Sequence, residues 1–380
     1  MTCELELLRQ KIDRLDRQIV DCFEERMQTV IQVAAYKKAH NLPILNSERE
    51  KEVIEKNTAM LQNKQYKRAL ESVLEKMMLV SRNAQQEYLD TQVNYQEFKT
   101  VEPEFEGKIV GYQGVAGSFS HQTLQRFFKE HCILEKNYLN FEDVFSALEV
   151  GEIVYGVLPL ENSTTGAIND IYDLLNKYQV CIVAEYCLEI EQALLAKPQT
   201  TLAMIEKVYS HPQGFKQSKD FLAKYPQWEH IPYFNTAKSA EYVAHTAADN
   251  IAAIASKQAA SLYNLQVLQE RINFNNKNFT RFVILTKSKQ IWAESDKISL
   301  LIGLPHKAGS LARVLNYFEE YNINLLKVES RPNHKQSWSY YFYVDFQGCL
   351  EDRQVQKVLK KVEADSSYFR LLGNYKEHKG

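Results

Sequence analysis

No glycine occurs before Gly107, and only Pro43 and Pro103 interrupt the stretch that precedes it. A segment that lacks helix breakers and is rich in Glu, Lys, Arg, Leu and Gln is typical of an all-helical domain. We expect three helices there, over residues 4–40, from 47 onward and over 65–92.

Several chemical features are also missing. The six cysteines are scattered without a C-x-x-C pair and no H-E-x-x-H occurs, so we expect neither a disulfide framework nor a metal site. The net charge of -2 gives no reason to expect a nucleic-acid partner. No apolar run approaches the ~18 residues of a membrane helix. The acidic start also lacks a secretory signal pattern. Together these absences predict a soluble cytoplasmic protein without metal or cofactor.

Apolar residues of the first predicted helix recur every three or four positions, from Leu5 and Leu8 to Val30 and Val33. This spacing places them on one helical face. Three helices of unequal length cannot bury such faces among themselves, so we expect an intertwined homodimer or a higher homo-oligomer.

Alternating strands and helices are predicted from Lys108 onward. The strand over residues 109–112 leads through Gly114 and Gly117 into a helix, but these glycines do not match the dinucleotide fingerprint. Such a helix start can still bind a carboxylate through free backbone amides. Further on, we expect helices over 215–224, 239–245 and 251–262, the last two because they are rich in alanine.

A polar run, Glu161 to Gly166, follows the apolar strand predicted over 155–160 and precedes a helix predicted near Ala167. Its small hydroxyl and amide side chains fit either an N-terminal helix cap or a ligand-binding loop. The residues alone leave both interpretations open.

The pentapeptide Asn278 to Phe282 lies between an amide-rich turn and the apolar run Val283-Ile284-Leu285. A threonine and an arginine where a loop enters a core strand suit anion binding, because a guanidinium binds carboxylates and a hydroxyl can relay a proton. The alternative is a surface loop with a solvated arginine. The late return to a strand predicts a two-lobed α/β domain with a cleft.

Residues 297–376 follow the order strand, helix, strand, strand, helix, strand, which is the ferredoxin-like order. Two of the loops stand out, one around Gly309 and one that begins at Glu329.

In this order the three units resemble the bifunctional chorismate mutase–prephenate dehydratases that end in an ACT regulatory domain. The most specific matches are GYQGVAGSFSH (111–121), GVLPLENSTTGAIND (156–170), SHPQ (210–213) and NFTRF (278–282). The resemblance implies an all-α mutase domain over 1–94, a two-lobed α/β dehydratase domain like that of periplasmic binding proteins over 107–287, and an ACT domain over 297–376. It also implies rearrangement of chorismate to prephenate, conversion of prephenate to phenylpyruvate, and feedback inhibition by L-phenylalanine.

For the mutase, the resemblance marks Arg9 (acting in the other subunit's site), Arg26, Lys37, Asn46, Arg49, Glu50, Ser81 and Gln85. Arg9 and Arg26 would bind the carboxylates, Lys37 and Gln85 would face the ether oxygen, and Glu50 would face the ring hydroxyl. The pericyclic rearrangement needs a compact conformer and stabilised charge on that oxygen, but no acid, base or nucleophile. Taken singly, each charged residue also fits a solvated helix surface.

For the dehydratase, the resemblance marks Glu161, Asn162, Ser163, Thr164, Gln213, Thr280, Arg281 and Phe282. Thr280 would act as a positioned proton donor or relay toward the departing hydroxyl. Arg281 would bind a carboxylate or order the loop, Glu161 would be a proton source or an anchor, and Phe282 would pack.

For the ACT domain, the resemblance assigns phenylalanine binding to Gly309, Ser310, Leu311, Glu329, Ser330 and Arg331. Two other functions stay open at this point. An arogenate-preferring dehydratase is one, because no residue decides between arogenate and prephenate. A non-catalytic sensor of small acids is the other, although the charged set of the helical domain argues against it.

Overall fold

The structure, a computed structural model, describes residues 2–40, 42, 47–89, 98–275, 277–333 and 339–378. The chain forms two compact units, Met1–Asn94 and Tyr95–Gly380. No helix within the described ranges combines the length and the apolar character that crossing a bilayer requires.

The first unit is all-α, which confirms the prediction. Its helices are α1 (Thr2–Ala39), α2 (Ser47–Ala59) and α3 (Lys67–Leu89). Both α1 and α2 pack against α3. A single 3-10 turn capped by Asn63 precedes α3, so that helix begins slightly later than predicted. Much of the predicted apolar face of α1 remains exposed, by 40 to 63%: Leu5, Leu8, Ile12, Leu15, Ile19 and Phe23.

The second unit opens with the two-lobed domain. Its elements are β1 (Lys99–Thr100), β2 (Ile109–Gln113), α4 (Phe119–Phe127), β3 (Leu134–Tyr138), α5 (Phe141–Val150), β4 (Tyr155–Asn162), β5 (Gly166–Ala167), α6 (Asn169–Lys177), β6 (Cys181–Glu189), β7 (Ala193–Ala196), β8 (Lys207–Ser210), α7 (Pro212–Gln217), α8 (Lys219–Leu222), β9 (Glu229–Pro232), α9 (Thr236–His245), β10 (Ile251–Ala255), α10 (Lys257–Leu262), β11 (Gln266–Gln269), β12 (Phe279–Thr286) and β13 (Gln290–Ile291).

Each lobe is built on one sheet. The first has the strand order β3-β2-β4-β12-β6, with β5 paired to β4, and the second has the order β11-β7-β10-β8-β9. The chain crosses between the lobes after β6 and returns before β12. The two crossings lie side by side, since the Ile190 amide donates to the Asn278 carbonyl at 2.7 Å and the Ile272 amide donates to the Gln192 carbonyl at 3.0 Å. The two-lobed prediction is confirmed.

The alanine-rich segment 251–262 corrects one prediction. Residues Ile251–Ala255 form β10, a fully buried strand between β7 and β8, and only Lys257–Leu262 is helical. Alanine favours helices, but five consecutive apolar residues suit a strand that is covered on both faces. The helix predicted over 215–224 is likewise two short helices, α7 and α8, that meet at Ser218.

The segment that resembles an ACT domain, called the ACT domain below, follows in the same compact unit and has the predicted ferredoxin-like order. Its elements are β14 (Lys297–Gly303), α11 (Ser310–Glu320), β15 (Leu325–Pro332), β16 (Tyr340–Gln347), α12 (Arg353–Asp365) and β17 (Tyr368–Tyr375). They form an antiparallel sheet in the order β15-β16-β14-β17.

The ACT sheet and the first lobe share their hydrophobic cores. Leu301 and Tyr343 of the ACT sheet pack in one cluster with Ile171 and Val283 of the lobe. The approach is closest at Gly373, where an added Cβ would lie 2.0 Å from the Ile182 carbonyl oxygen of β6. These two surfaces therefore pack directly against each other.

Candidate active sites and the regulatory domain

A cavity of about 170 Å³ lies among the three helices of the first unit. Its lining residues are Arg26, Val30, Lys37, Arg49, Glu50, Val53, Met78, Ser81, Arg82 and Gln85. The cavity thus brings together every residue assigned to the mutase site except Arg9 and Asn46. Asn46 lies outside the described residues. Arg9 lies on α1 with its side chain 65% exposed, 3.7 Å from Glu6.

Hydrogen bonds fix the deeper wall of this cavity. Arg26 donates to the Ser81 hydroxyl, which in turn donates to the Met77 carbonyl at 2.7 Å. Burial lowers the pKa of the Arg26 guanidinium. Gln85 is 8% exposed, its Nε2 lies 3.4 Å from the Ser81 carbonyl, and its Oε1 has no partner among the described residues. The Gln85 amide therefore retains hydrogen-bonding capacity for a ligand.

Arg82 is a cavity residue that sequence reasoning missed. Its Nη1 forms an ion pair with Glu50 Oε1, and both side chains are about 30% exposed or less. The available signal was its position, one residue after Ser81 and three before Gln85 on α3. Glu50 is therefore held by a guanidinium within the cavity.

Thr280 and Asn162 form the centre of the candidate dehydratase site. They face each other across the antiparallel pair β4 and β12. Asn162 Nδ2 donates to Thr280 Oγ1 at 2.9 Å and to Asn278 Oδ1 at 2.8 Å. Both Asn162 and Thr280 are buried, at 7% exposure each. The Thr280 oxygen thus accepts a hydrogen bond, while its own proton has no acceptor among the described residues.

The run after Asn162 is a loop held by that side chain. Asn162 Oδ1 accepts from the Thr164 amide at 3.0 Å and the Thr165 amide at 3.1 Å. α6 begins only at Asn169, and its N-cap, Ile168, provides no side-chain cap. The helix-cap interpretation of this run is therefore wrong, whereas an Asx-type turn explains its fold.

Ser163, Thr164 and Gln213 extend this site. The Ser163 hydroxyl accepts from the Phe279 amide at 2.9 Å, and the Thr164 hydroxyl donates to Asn278 Oδ1 at 3.3 Å. Gln213, at the start of α7 in the second lobe, donates from Nε2 to the Thr165 hydroxyl at 2.6 Å. The polar loop of the first lobe therefore meets the second lobe at this point.

Arg281 lies on the other face of β12 from Thr280, because successive strand residues point to opposite sides. Its guanidinium lies 2.6 Å from Glu161, 3.0 Å from Glu185 and 2.9 Å from Asp345, and its side chain is only 7% exposed. The structure thus places Arg281 among protein carboxylates rather than beside Thr280. Phe282, which was grouped with the substrate residues, is 1% exposed in the hydrophobic core.

Charges on this face of β12 also decide the ionisation of Glu161. Burial would raise the pKa of the Glu161 carboxyl, but Arg281 and Lys327 outweigh burial and hold that pKa below its usual range. Burial of Asp345 is likewise outweighed, first by Arg281 and then by Lys297, so the pKa of Asp345 is lowered. A carboxyl with a lowered pKa is a poor proton source at neutral pH.

The residues assigned to phenylalanine lie at two places in the ACT domain. Gly309 has a φ of +81° and is the N-cap of α11, without a side-chain cap. Arg331, near the end of β15, forms a two-pronged contact with Asp173 of α6 at 2.8 and 3.3 Å. Glu329 lies 3.9 Å from Lys327, and Ser330 is exposed.

These sites and folds define a class of enzyme in which a helical mutase-type domain precedes a two-lobed dehydratase-type domain and an ACT domain. Family profiles agree: chorismate mutase type II matches residues 8–86, prephenate dehydratase matches 110–290 and the ACT domain matches 298–364. The chain belongs to the bifunctional chorismate mutase/prephenate dehydratases. It is therefore an enzyme with both activities, and the sensor alternative loses its support.

Relatives that match over nearly their full length support this assignment. The chain is 33% identical over 390 residues to the bifunctional chorismate mutase/prephenate dehydratase of Escherichia coli K12, covering 99% of this chain and 97% of that protein. It is 32% identical over 377 residues to the Aquifex aeolicus protein of the same name, covering 98% of each.

Solved structures resemble the second unit. The prephenate dehydratase of Staphylococcus aureus superposes with a TM-score of 0.61 at 28% identity, over 70% of this chain and 99% of that one. The prephenate dehydratase of Arthrobacter aurescens, solved in complex with L-Phe, gives 0.65 at 24% identity, over 71% and 90%. The second comparison supports the fold.

Proposed function

We propose that the cavity of the first unit rearranges chorismate and that the Thr280–Asn162 site converts the resulting prephenate to phenylpyruvate. The observation that carries this proposal is the hydrogen bond from the Asn162 amide to Thr280 Oγ1, which fixes the threonine hydroxyl as an acceptor. The same chain has a cavity lined by cationic side chains in its other unit. L-Phenylalanine would inhibit the second activity by binding to the ACT domain.

The mutase cavity suits a dianion whose ether oxygen gains charge. Arg26, Lys37, Arg49 and Arg82 bring four cationic side chains to the lining, against the single carboxylate of Glu50. Arg26 is fixed by Ser81 and binds one carboxylate, while Lys37 and Gln85 face the ether oxygen. A preorganised cation and an amide donor stabilise that oxygen in the transition state more than in the substrate.

The exposed face of α1 supports a dimer in which Arg9 completes the site of the other subunit. Leu8 and Ile12, which flank Arg9, are 55 and 56% exposed. A row of exposed apolar side chains along a long helix is a typical partner surface. Arg9 itself does not line the cavity of its own subunit.

Mixing two inactive variants tests this arrangement. Arg9→Ala and Arg26→Ala should each lose most mutase activity, and their mixture should recover about a quarter of the wild-type rate. Half of the exchanged dimers would be mixed, and each mixed dimer would have one intact site. The measurement is chorismate loss after subunit exchange, with either variant alone as control. No recovery despite exchange, shown by tagged subunits, would contradict a shared site.

In the dehydratase site, the C–O bond to the ring hydroxyl breaks while the ring carboxylate leaves as carbon dioxide. The electrons of the broken C–C bond enter the ring, and the hydroxyl must gain one proton to leave as water. Asn162 occupies a lone pair of Thr280 Oγ1, so the Thr280 proton is directed elsewhere. A positioned hydroxyl of this kind donates or relays the required proton.

Backbone amides provide a candidate for one substrate carboxylate. At the start of α4, Ser118 caps the His121 amide and His121 Nδ1 accepts from the Gly117 amide. The amides of Phe119 and Ser120 have no acceptor among the described residues. This turn faces the second lobe, since Tyr263 donates to the Ala116 carbonyl at 2.9 Å. A helix start with free amides attracts a carboxylate.

For phenylalanine, the start of α11 offers comparable chemistry. The positive φ of Gly309 needs glycine, and an added Cβ there would meet nothing within 4 Å, so the surface is open. The Leu311 and Ala312 amides have no acceptor among the described residues. In this proposal they bind the amino acid's carboxylate, while Glu329 and Ser330 of β15 contact the rest.

The decisive experiment supplies chorismate to the purified enzyme and follows its loss, prephenate and phenylpyruvate. Phenylpyruvate should form without added cofactor, and L-phenylalanine should slow only the second step. Arogenate supplied in parallel measures the alternative substrate. Prephenate that accumulates without further conversion would contradict the dehydratase assignment. We also propose a cytoplasmic location, which fits the free thiols of Cys22, Cys132, Cys181, Cys187 and Cys349.

A further inference from the structure

Six charged side chains meet where the first lobe packs against the ACT sheet. Three come from the lobe and three from the ACT domain: Glu161, Glu185 and Arg281, and Lys297, Lys327 and Asp345. We call this set the interdomain charge cluster. It contains three cations and three carboxylates, so its charges balance only when both domains contribute.

The contacts of the cluster cross the domain boundary repeatedly. Lys297 Nζ lies 2.9 Å from Glu185, Arg281 lies 2.9 Å from Asp345, and Lys327 forms an ion pair with Glu161. Side-chain exposure is 9% or less for Arg281, Glu185, Asp345 and Lys297. Buried charges of this kind need their partners, because removing one leaves another charge uncompensated.

The cluster is connected through the backbone to Asn162 and Thr280, the proposed centre of the dehydratase site. Glu161 is the residue before Asn162 on β4, and Arg281 is the residue after Thr280 on β12. Arg281 faces Glu161 across the two strands at the position where their register shifts. A displacement of either charge would therefore move the Asn162–Thr280 hydrogen bond.

Through Lys327, the cluster is also connected along β15 to the residues assigned to phenylalanine binding. Lys327 and the residues assigned to phenylalanine, Glu329 to Arg331, lie on the same strand. Lys327 is also held by the Tyr172 hydroxyl at 2.8 Å. A shift of β15 on effector binding would pull directly on the contact between Lys327 and Glu161.

We propose that Arg281 and Glu161 are positioning residues for the dehydratase site, and that the Lys327–Glu161 ion pair transmits effector binding from β15 to Asn162 and Thr280. This inference rests on the proposed dehydratase activity and its inhibition by phenylalanine. It assigns Arg281 to the regulatory interface instead of the substrate.

The test uses Lys327→Met in the full-length enzyme. Phenylalanine should still bind, with a dissociation constant by calorimetry within about twofold of wild type, but its inhibition of prephenate turnover should weaken about tenfold or more. Retained binding shows that the ACT domain is folded. Lys361→Met is the matched control: Lys361 is 12% exposed against 18% for Lys327, and it pairs with Glu320 in the helical layer. The control should keep both binding and inhibition.

A second variant, Asp345→Asn, removes one of the three carboxylate charges around Arg281 and keeps the size of the side chain. It should lower kcat for prephenate more than it raises KM, while the mutase rate stays unchanged. Full inhibition in Lys327→Met together with an unchanged kcat in Asp345→Asn would overturn the inference. If wild-type enzyme neither binds phenylalanine nor turns over prephenate, the proposed function fails instead.

Discussion

Replacing Thr280 with valine is expected to lower kcat of the dehydratase by about a hundredfold or more, because the side chain that we propose as proton donor toward the departing hydroxyl is lost. Valine has nearly the shape of threonine. The Asn162 amide keeps its acceptors at Asn278 Oδ1 and the Phe279 carbonyl, at 2.8 and 3.0 Å. The site should therefore keep its structure while losing the hydroxyl.

Three measurements separate this effect from misfolding. Prephenate should accumulate when chorismate is supplied, the mutase rate should equal that of wild type, and the melting temperature should change little. Thr280→Ser keeps the hydroxyl and should retain most activity. A valine variant that forms phenylpyruvate at the wild-type rate would remove Thr280 from the mechanism.

The second large effect is expected from Lys37→Met, which should lower the mutase kcat by about a hundredfold or more. Lys37 lines the cavity of the first unit. In the proposed mechanism its ammonium stabilises charge on the ether oxygen of the transition state. Turnover of supplied prephenate should be unchanged.

Lys38→Met is a matched control for this prediction. Lys37 and Lys38 both lie in the last turn of α1, so each variant removes one charge from the same helix end. Lys38 is exposed and does not line the cavity. Equal losses in the two variants would mean that the helix terminus, and not the ether oxygen, requires the charge.

Sequence reasoning predicted the fold class of the three units well because the signals for it are local. The glycine-free start, the order of strands and helices, and the spacing of Ser81 and Gln85 each depend on neighbouring residues. Arg281 could not be placed in this way. Strand periodicity predicts that its side chain points to the opposite face of the sheet from Thr280. Only the tertiary structure shows that the ACT sheet covers that face and brings Asp345 to Arg281.

Segment 251–255 and Arg82 were missed for different physical reasons. The run Ile-Ala-Ala-Ile-Ala has helical propensity, but its burial between β7 and β8 decides its structure. Arg82 resembles any solvated helix residue in the sequence. Its role depends on Glu50, which lies thirty-two positions away along the chain.

The shared core between the first lobe and the ACT sheet bears on how a feedback-resistant enzyme for phenylalanine production should be made. Cutting the chain after the dehydratase domain would uncover Ile182 and Val283 and leave Glu161, Glu185 and Arg281 with one excess negative charge. Such a truncation would remove the inhibitory domain together with the sheet that covers the hydrophobic core of the first lobe. Point substitution on β15 would relieve inhibition while the lobe keeps the sheet against which it is folded.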